Sequence, residues 1–183
     1  MTPDVLLRPW RANDLAALLD AVRTGPDLPR QLDLPASPSD DEVAARLTGH
    51  LAVRTPQDHR FAVVLDGVAV GNVAVTDVEH SHGTGWVSYW LAPAARGRRL
   101  ATRAAASVAP WAFTELGLHR LELGHRTNNP ASCRVATGAG FLAEGVQRAR
   151  LRYGDVRYDV ETHARLADDP SPDVPAVRVD PAA

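Results

Sequence analysis

The chain has 183 residues, with 20 Lys and Arg against 22 Asp and Glu, a formal net charge of −2, and 45% hydrophobic residues. That length supports one substantial core, and a charge so near neutral removes the electrostatic reason to expect a nucleic-acid or anionic-membrane partner. No apolar run approaches the ~18 residues of a membrane span, no signal-peptide pattern opens the chain, and Cys133 is the only cysteine, so an internal disulfide is excluded and a cytoplasmic home is expected.

In chain order, residues 5–8 form a short strand, and Asn13-Asp14 caps a helix whose Leu15, Leu18, Leu19 and Val22 make one apolar stripe. The proline-rich stretch 25–38 is expected to be irregular. A second helix starts at 39–41 and carries Val43, Leu47 and Leu51 toward Arg54. Residues 61–65 and 68–75 flank Asp66-Gly67, which supplies the two positive-φ positions of a type I′ turn, so they pair as a hairpin. The polar run 76–85 is expected as a solvated loop. His80 and His82 share one side of it, but two ligands make no site and no third lies nearby, so no metal is expected.

Residues 86–91, aromatic and β-branched and halted by Pro93, form a buried strand. After the turn Arg96-Gly97-Arg98-Arg99 a helix shows in the spacing of Leu100, Ala104, Val108, Trp111 and Ala112, with a stop at Gly117 and a kink or restart expected at Pro110. Residues 119–126 then alternate, Leu121 and Leu123 against Arg120 and Glu122, as a second strand. A strand, helix and strand in this order make a right-handed crossover, and ligands collect at the carboxyl ends of such strands. The Arg/Gly turn falls at that end. Its unpartnered first-turn amides, the helix dipole, Arg96, Arg98, Arg99 and the Thr102 hydroxyl suit a pyrophosphate, although a plain solvated arginine turn fits the bare pattern as well. Asn129-Pro130 opens another helix, and residues 145–153 and 156–166 form a last hairpin about Gly154-Asp155, with Arg148, Arg150 and Arg152 on one face. One domain is expected over 1–166, followed by a disordered Asp- and Pro-rich tail at 167–183.

The run from Tyr89 through Pro93, Arg96-Gly97-Arg98-Arg99-Leu100-Ala101-Thr102, Trp111-Ala112-Phe113 and Leu116-Gly117-Leu118-His119-Arg120 resembles the acetyl-CoA-binding core of the GCN5-related N-acetyltransferases (GNAT). Asn129-Pro130-Ala131-Ser132, Val135 and Gly140-Phe141 resemble the next motif of that superfamily, in the RimJ/RimL-like branch that acetylates ribosomal-protein N-terminal amines, and Leu7-Arg8-Pro9 opens the chain as that branch does. The resemblance implies an α/β fold: a mixed, mostly antiparallel twisted sheet with flanking helices and a central strand-helix-strand crossover. It also implies an acetyl-CoA cosubstrate, direct transfer to a primary amine without a covalent enzyme intermediate, and a homodimer among the options for assembly. The acceptor is a protein or peptide α-amine, with a small-molecule amine such as an antibiotic, or a catalytically silent acyl-CoA-binding module, as alternatives.

Residue by residue, the resemblance places the diphosphate at Arg96, Gly97, Arg98, Arg99, Leu100, Ala101 and Thr102, and the pantetheine and oxyanion contacts on the backbone of Tyr89 and Leu91. Asn129 caps its helix and also reaches the CoA chain; Ser132 is either a plain helix serine or the donor to the CoA sulfur. For the general base Glu122, His125, and Glu79 or His80 are all candidates; a solvated or salt-bridged strand role describes Glu122 at least as well, and a water chain or no dedicated base also fits an α-amine of pKa near 8. Arg99 occupies a position that is Gly in the family motif. A side chain there is tolerated if the residue is already helical and not if the backbone needs positive φ; tolerance is expected, with the guanidinium pointing to solvent or to a CoA phosphate. Cys133 has no base to activate it and is expected to pack.

Overall fold

The computed structural model describes residues 4–182. Eight strands form one sheet in the order β6-β7-β5-β4-β3-β2-β1-β8. The strands are β1 (Val5–Pro9), β2 (His59–Leu65), β3 (Val68–Glu79), β4 (Thr84–Leu91), β5 (Arg120–Arg126), β6 (Leu142–Tyr153), β7 (Val156–Leu166) and β8 (Arg178–Val179). All neighbours run antiparallel except the β4–β5 and β1–β8 pairs. The helices are α1 (Leu15–Thr24), α2 (Leu28–Gln31), α3 (Asp40–Arg46), α4 (Leu100–Glu115) and α5 (Pro130–Gly138).

The period-two geometry of β2 divides the core. Phe61 and Val63 join Val73, Val75, Leu100, Ala104, Val108 and Leu121 under α4 and α5. Ala62 and Val64 join Leu18, Val22, Leu28, Val43 and Trp90 under α1 to α3. On that second face the Trp10 indole donates to Asn72 Oδ1 at 2.9 Å and stacks on Trp90 at 5.7 Å. Asp14 stands at the start of α1, but its carboxylate does not cap the helix; it clamps the buried Arg8 guanidinium through two bonds of 2.7 Å.

Asp66 (φ 48°) and Gly67 (φ 85°) form the expected hairpin turn. Ser39 caps α3 in a reciprocal box with Glu42, and a wider turn at Leu47–Leu51 continues that helix. Four corrections to the sequence reading follow. The stretch 25–38 is not wholly irregular, because Pro29 sits in the first turn of the short helix α2. The expected loop 76–85 is much shorter, since β3 runs to Glu79 and β4 starts at Thr84.

The third concerns Pro110, where only the end-and-restart alternative is overturned, because α4 runs through it from Leu100 to Glu115. A proline there leaves the Ala106 carbonyl without its helical donor, and Arg165 Nη1 from β7 supplies one at 3.3 Å while also bonding the Ala139 carbonyl at the end of α5. The fourth concerns residues 167–182, expected as a disordered tail. They lie against the sheet: Val177 is 5% exposed in the core, its N–H donates to Ser107 Oγ at 2.8 Å, and β8 pairs with β1. Short apolar residues scattered among prolines are enough to place one side chain in a core and two residues on an open edge.

Candidate active site

β4 and β5 share only three ladder pairs, Thr84 with Arg120, Gly85 with Leu121 and Trp86 with Glu122. Beyond Trp86 the strands part, and the gap is a cleft of about 480 Å³. Its walls are residues 86–91 and 123–126, the first turn of α5, Arg30 and Gln31 of α2, and Tyr153 of β6. Trp86 closes its narrow end over Gly124: a Cβ at that glycine would meet the indole at 3.1 Å and Val160 at 2.9 Å.

The backbone of β4 presents alternate residues to this cleft. Ala92 N donates to Val70 O of β3 at 2.8 Å, so Trp90 and Ser88 also turn their amides toward β3, and those of Leu91 and Tyr89 face the gap. The Leu91 carbonyl, which accepts from Arg96 Nε at 3.0 Å, fits that direction.

At the cleft's wide end the turn into α4 uses two left-handed residues, Gly97 (φ 77°) and Arg99 (φ 57°, ψ 14°). Arg99 is the residue before the helix and not part of it, so the positive-φ alternative holds; its side chain is exposed, as expected. Among the described residues no protein group accepts from the N–H groups of residues 97–102, and the first bond of the run is Arg103 N to Arg99 O at 2.9 Å. Six backbone donors at the positive end of a sixteen-residue helix are therefore left without a protein partner next to the exposed Arg98 and Arg99.

Leu100 and Ala101 are buried and offer only amides. The Thr102 methyl packs 3.0 Å from where a Cβ would stand on Gly138, so α4 and α5 approach closely there. Arg96 is drawn elsewhere. Its Nη2 binds the Asp27 carboxylate at 2.9 Å, tying the phosphate-facing turn to the start of α2.

On α5, Asn129 Oδ1 accepts from Ser132 N at 3.2 Å as the helix cap, and Asn129 Nδ2 donates to Ser132 Oγ at 3.0 Å. Because Oγ accepts that bond, its own O–H is left to donate into the cleft. The Tyr89 hydroxyl donates to the Ser132 carbonyl at 3.3 Å, and burial pushes the phenol above its ordinary pKa, so it remains a donor. Strand β4 and the helix cap thus both brace Ser132.

Glu122 is a correction. Its carboxylate accepts from Arg120 Nε at 2.7 Å, and Arg120 also grips Glu144, in a shallow depression lined by Asp77, Thr84, Trp86 and Arg150 next to the cleft. The salt-bridged role describes it, and the geometry gives it no place as a base. Glu79 and His80 sit exposed in the β3–β4 turn region, with Glu79 bound to Ser81. His125 shares the buried face of β5 with Leu121 and Leu123. It meets His163 and Glu161 of β7, and Cys133 of α5 turns toward the same point, an assembly that sequence spacing does not show.

These features define a class: an α/β protein with an unpartnered helix N-terminus beside a split pair of parallel strands. The particular family follows from comparison, for a family model described as an acetyltransferase (GNAT) domain matches residues 4–142, and the chain belongs to that family. YjcK of Bacillus subtilis, a probable N-acetyltransferase, is 31% identical over 121 residues, covering 66% of this chain and 62% of the relative. The spermidine N(1)-acetyltransferase of Escherichia coli K12 is 30% identical over 93 residues, covering 51% of this chain and 50% of the relative. The matches thus span between half and about three-fifths of these relatives. Among solved structures, Mycobacterium smegmatis RimJ in complex with CoA-disulfide is 27% identical with a TM-score of 0.76, covering 88% of this chain and 81% of that one. RimL, the ribosomal L7/L12 α-N-protein acetyltransferase in complex with coenzyme A, has a TM-score of 0.77 at 19% identity, a likeness of fold alone.

Proposed function

We propose that the chain is an acetyl-CoA-dependent N-acetyltransferase and that its acceptor is the α-amine of a polypeptide N-terminus. The free amides of residues 97–102 carry the first half of this reading. They would take the diphosphate oxygens, helped by Arg98 and Arg99, while the cleft-facing backbone of Tyr89 and Leu91 would hold the amides of the pantetheine arm. When bound, acetyl-CoA supplies an acyl group activated as a thioester. Ser132 then lies on the cleft wall with a spare O–H, suited to hydrogen-bond the sulfur as the thiolate leaves. Among the described residues Asp27 is the carboxylate on the cleft wall, and it is held by Arg96. An α-amine has a pKa near 8 and keeps a usable neutral fraction at neutral pH, so proton loss to water suffices.

The acceptor reading rests on charge at the mouth. Arg30 lies 4.6 Å over the Tyr153 ring, and Arg126 lies 5.3 Å from Tyr153 and 5.0 Å from Tyr158. Two guanidinium groups on an aromatic floor repel a polycation and attract an acidic segment following an amine. The spermidine acetyltransferase relative motivates the rival acceptor, a polyamine. Thiol release from acetyl-CoA, followed with a panel of acidic N-terminal peptides, basic N-terminal peptides, spermidine and small amines, separates these readings. Fastest turnover is expected with the acidic peptides. Turnover led by spermidine overturns the acceptor reading, and acceptor-independent release shows a binding module.

A further inference from the structure

We infer that His125, His163, Glu161 and Cys133 form a zinc site on the β5–β7–α5 side of the cleft. The site is built from three elements. β5 and β7 are paired in register, Leu123 opposite His163 and His125 opposite Glu161, and α5 lays Cys133 over them. His125 is 7% and His163 is 1% exposed, whereas Glu161 and Cys133 are half-buried, so two ligands are fixed and two stand at an opening.

Hydrogen bonding settles which ring nitrogens are free. His125 Nδ1 lies 3.0 Å from the Arg126 carbonyl and His163 Nδ1 lies 3.3 Å from the Phe141 carbonyl. A carbonyl only accepts, so both Nδ1 atoms carry a proton and each Nε2 is the nitrogen left to take a metal. Those two nitrogens face each other at 3.1 Å, and Glu161 Oε2 stands 3.0 Å from one and 3.2 Å from the other. Two ring nitrogens and a carboxylate oxygen converge on one point.

A single proton bridges such a triangle imperfectly, because it lies along one edge. A divalent cation satisfies all three at once. With metal–nitrogen and metal–oxygen bonds of about 2.0 to 2.1 Å, a tetrahedral site has ligand–ligand edges of about 3.3 Å, close to the edges present. The Cys133 sulfur lies within 4.8 Å of every other ligand atom and closes the fourth position by a small side-chain shift. Binding exchanges its thiol proton for the metal bond. Two imidazoles, a thiolate and a carboxylate, with each imidazole oriented by a backbone carbonyl, form the mixed nitrogen, sulfur and oxygen set that zinc takes. Cys133 follows Ser132 directly, and His125 is on the cleft wall, so a bound ion stands next to the place proposed for the thioester. The inference concerns these four side chains and stands whether or not the acetyl-transfer reading holds.

The test uses the full chain stripped with chelator, dialysed and titrated with Zn²⁺ against a zinc-sensitive dye. One equivalent is expected to bind with a Kd of about 1 µM or lower. Co²⁺ in its place is expected to show tetrahedral visible bands and a near-ultraviolet thiolate band that disappears in Cys133→Ser. Cys133→Ser and Glu161→Gln alter half-exposed side chains, and their folding is checked by circular dichroism. Each is expected to weaken Zn²⁺ at least about tenfold, while His80→Ala/His82→Ala leaves it unchanged. Absence of micromolar binding, or an affinity that moves with His80 and His82 instead of with Glu161 and Cys133, overturns the inference.

Discussion

Arg99→Gly is the sharpest perturbation of the α4 turn, because a left-handed arginine occupies a position whose backbone favours glycine. Its φ of 57° and ψ of 14° cost a residue with a Cβ about 1 to 2 kcal/mol relative to glycine. Substitution removes that strain but loosens the unfolded chain by roughly 0.5 to 1 kcal/mol. The net stabilisation is therefore about 0 to 1.5 kcal/mol, a rise of up to ~6 °C in Tm for a domain of this size. Binding should move the other way. The guanidinium is exposed beside six unpartnered amides, so its loss removes an attraction of about 1 kcal/mol for a diphosphate at low salt. CoA affinity is expected to fall about fivefold there, and the difference should vanish near ~0.5 M salt, where the field is screened. Calorimetric titration with CoA at two salt concentrations, paired with thermal unfolding, measures both quantities. Arg99→Ala is the control: it keeps the strained Cβ, so it should lose the same affinity without gaining Tm. Tighter CoA binding by the glycine variant, or a Tm fall of several degrees, would refute this account of the turn.

Ser132→Ala is expected to lower kcat about a hundredfold and leave CoA affinity within about threefold, measured by thiol release and calorimetry; unchanged turnover removes the donor role. Asp14→Asn leaves the buried Arg8 guanidinium without its charge partner and should cost about 3 to 5 kcal/mol in urea unfolding. Burial pushes the Asp14 carboxyl up, yet the bonds from Arg8 and the Arg11 amide outweigh it and hold the group below its ordinary value. The clamp therefore contributes fully above about pH 3.9 and is lost as pH falls through the depressed pKa, so wild-type acid unfolding should carry a component that Asp14→Asn lacks. Val177→Ala should cost about 2 kcal/mol by the same urea titration, and no cost would show that the C-terminal segment does not pack on the core.

Much of the cleft is legible in sequence because its determinants are local. The Asp66-Gly67 turn, the α4 spacing, the Asn129-Pro130 cap and the amide-rich turn each depend on residues within a few positions of one another. Glu122 shows where local reasoning stops. Alternation puts it on the face opposite Leu121 and Leu123, but that its face carries Arg120 bound to Glu144, and not the cleft, depends on a strand 22 residues away. His125 was open to reading as a member of the Leu121–Leu123 face from alternation alone. Its partners His163 and Glu161 were not, since they arrive through the β5–β7 register.

Pro110 and Arg165 carry the same lesson in the opposite direction. A proline eleven residues into a helix demands a kink as long as the helix is considered by itself, because the Ala106 carbonyl loses its donor. The fold supplies the donor from β7, and Arg165, which does so, is 3% exposed, its pKa lowered by burial, with a second bond to the Ala139 carbonyl just past α5. One buried cation thus keeps α4 continuous and locks α5 against it. The continuity matters to the site: the helix whose N-terminus offers the free amides is tied, at Ala106, to the C-terminal side of the helix that carries Ser132. A hydrogen bond lost by sequence in one element is restored by a residue 55 positions later in the chain, and the geometry of the cleft depends on that exchange.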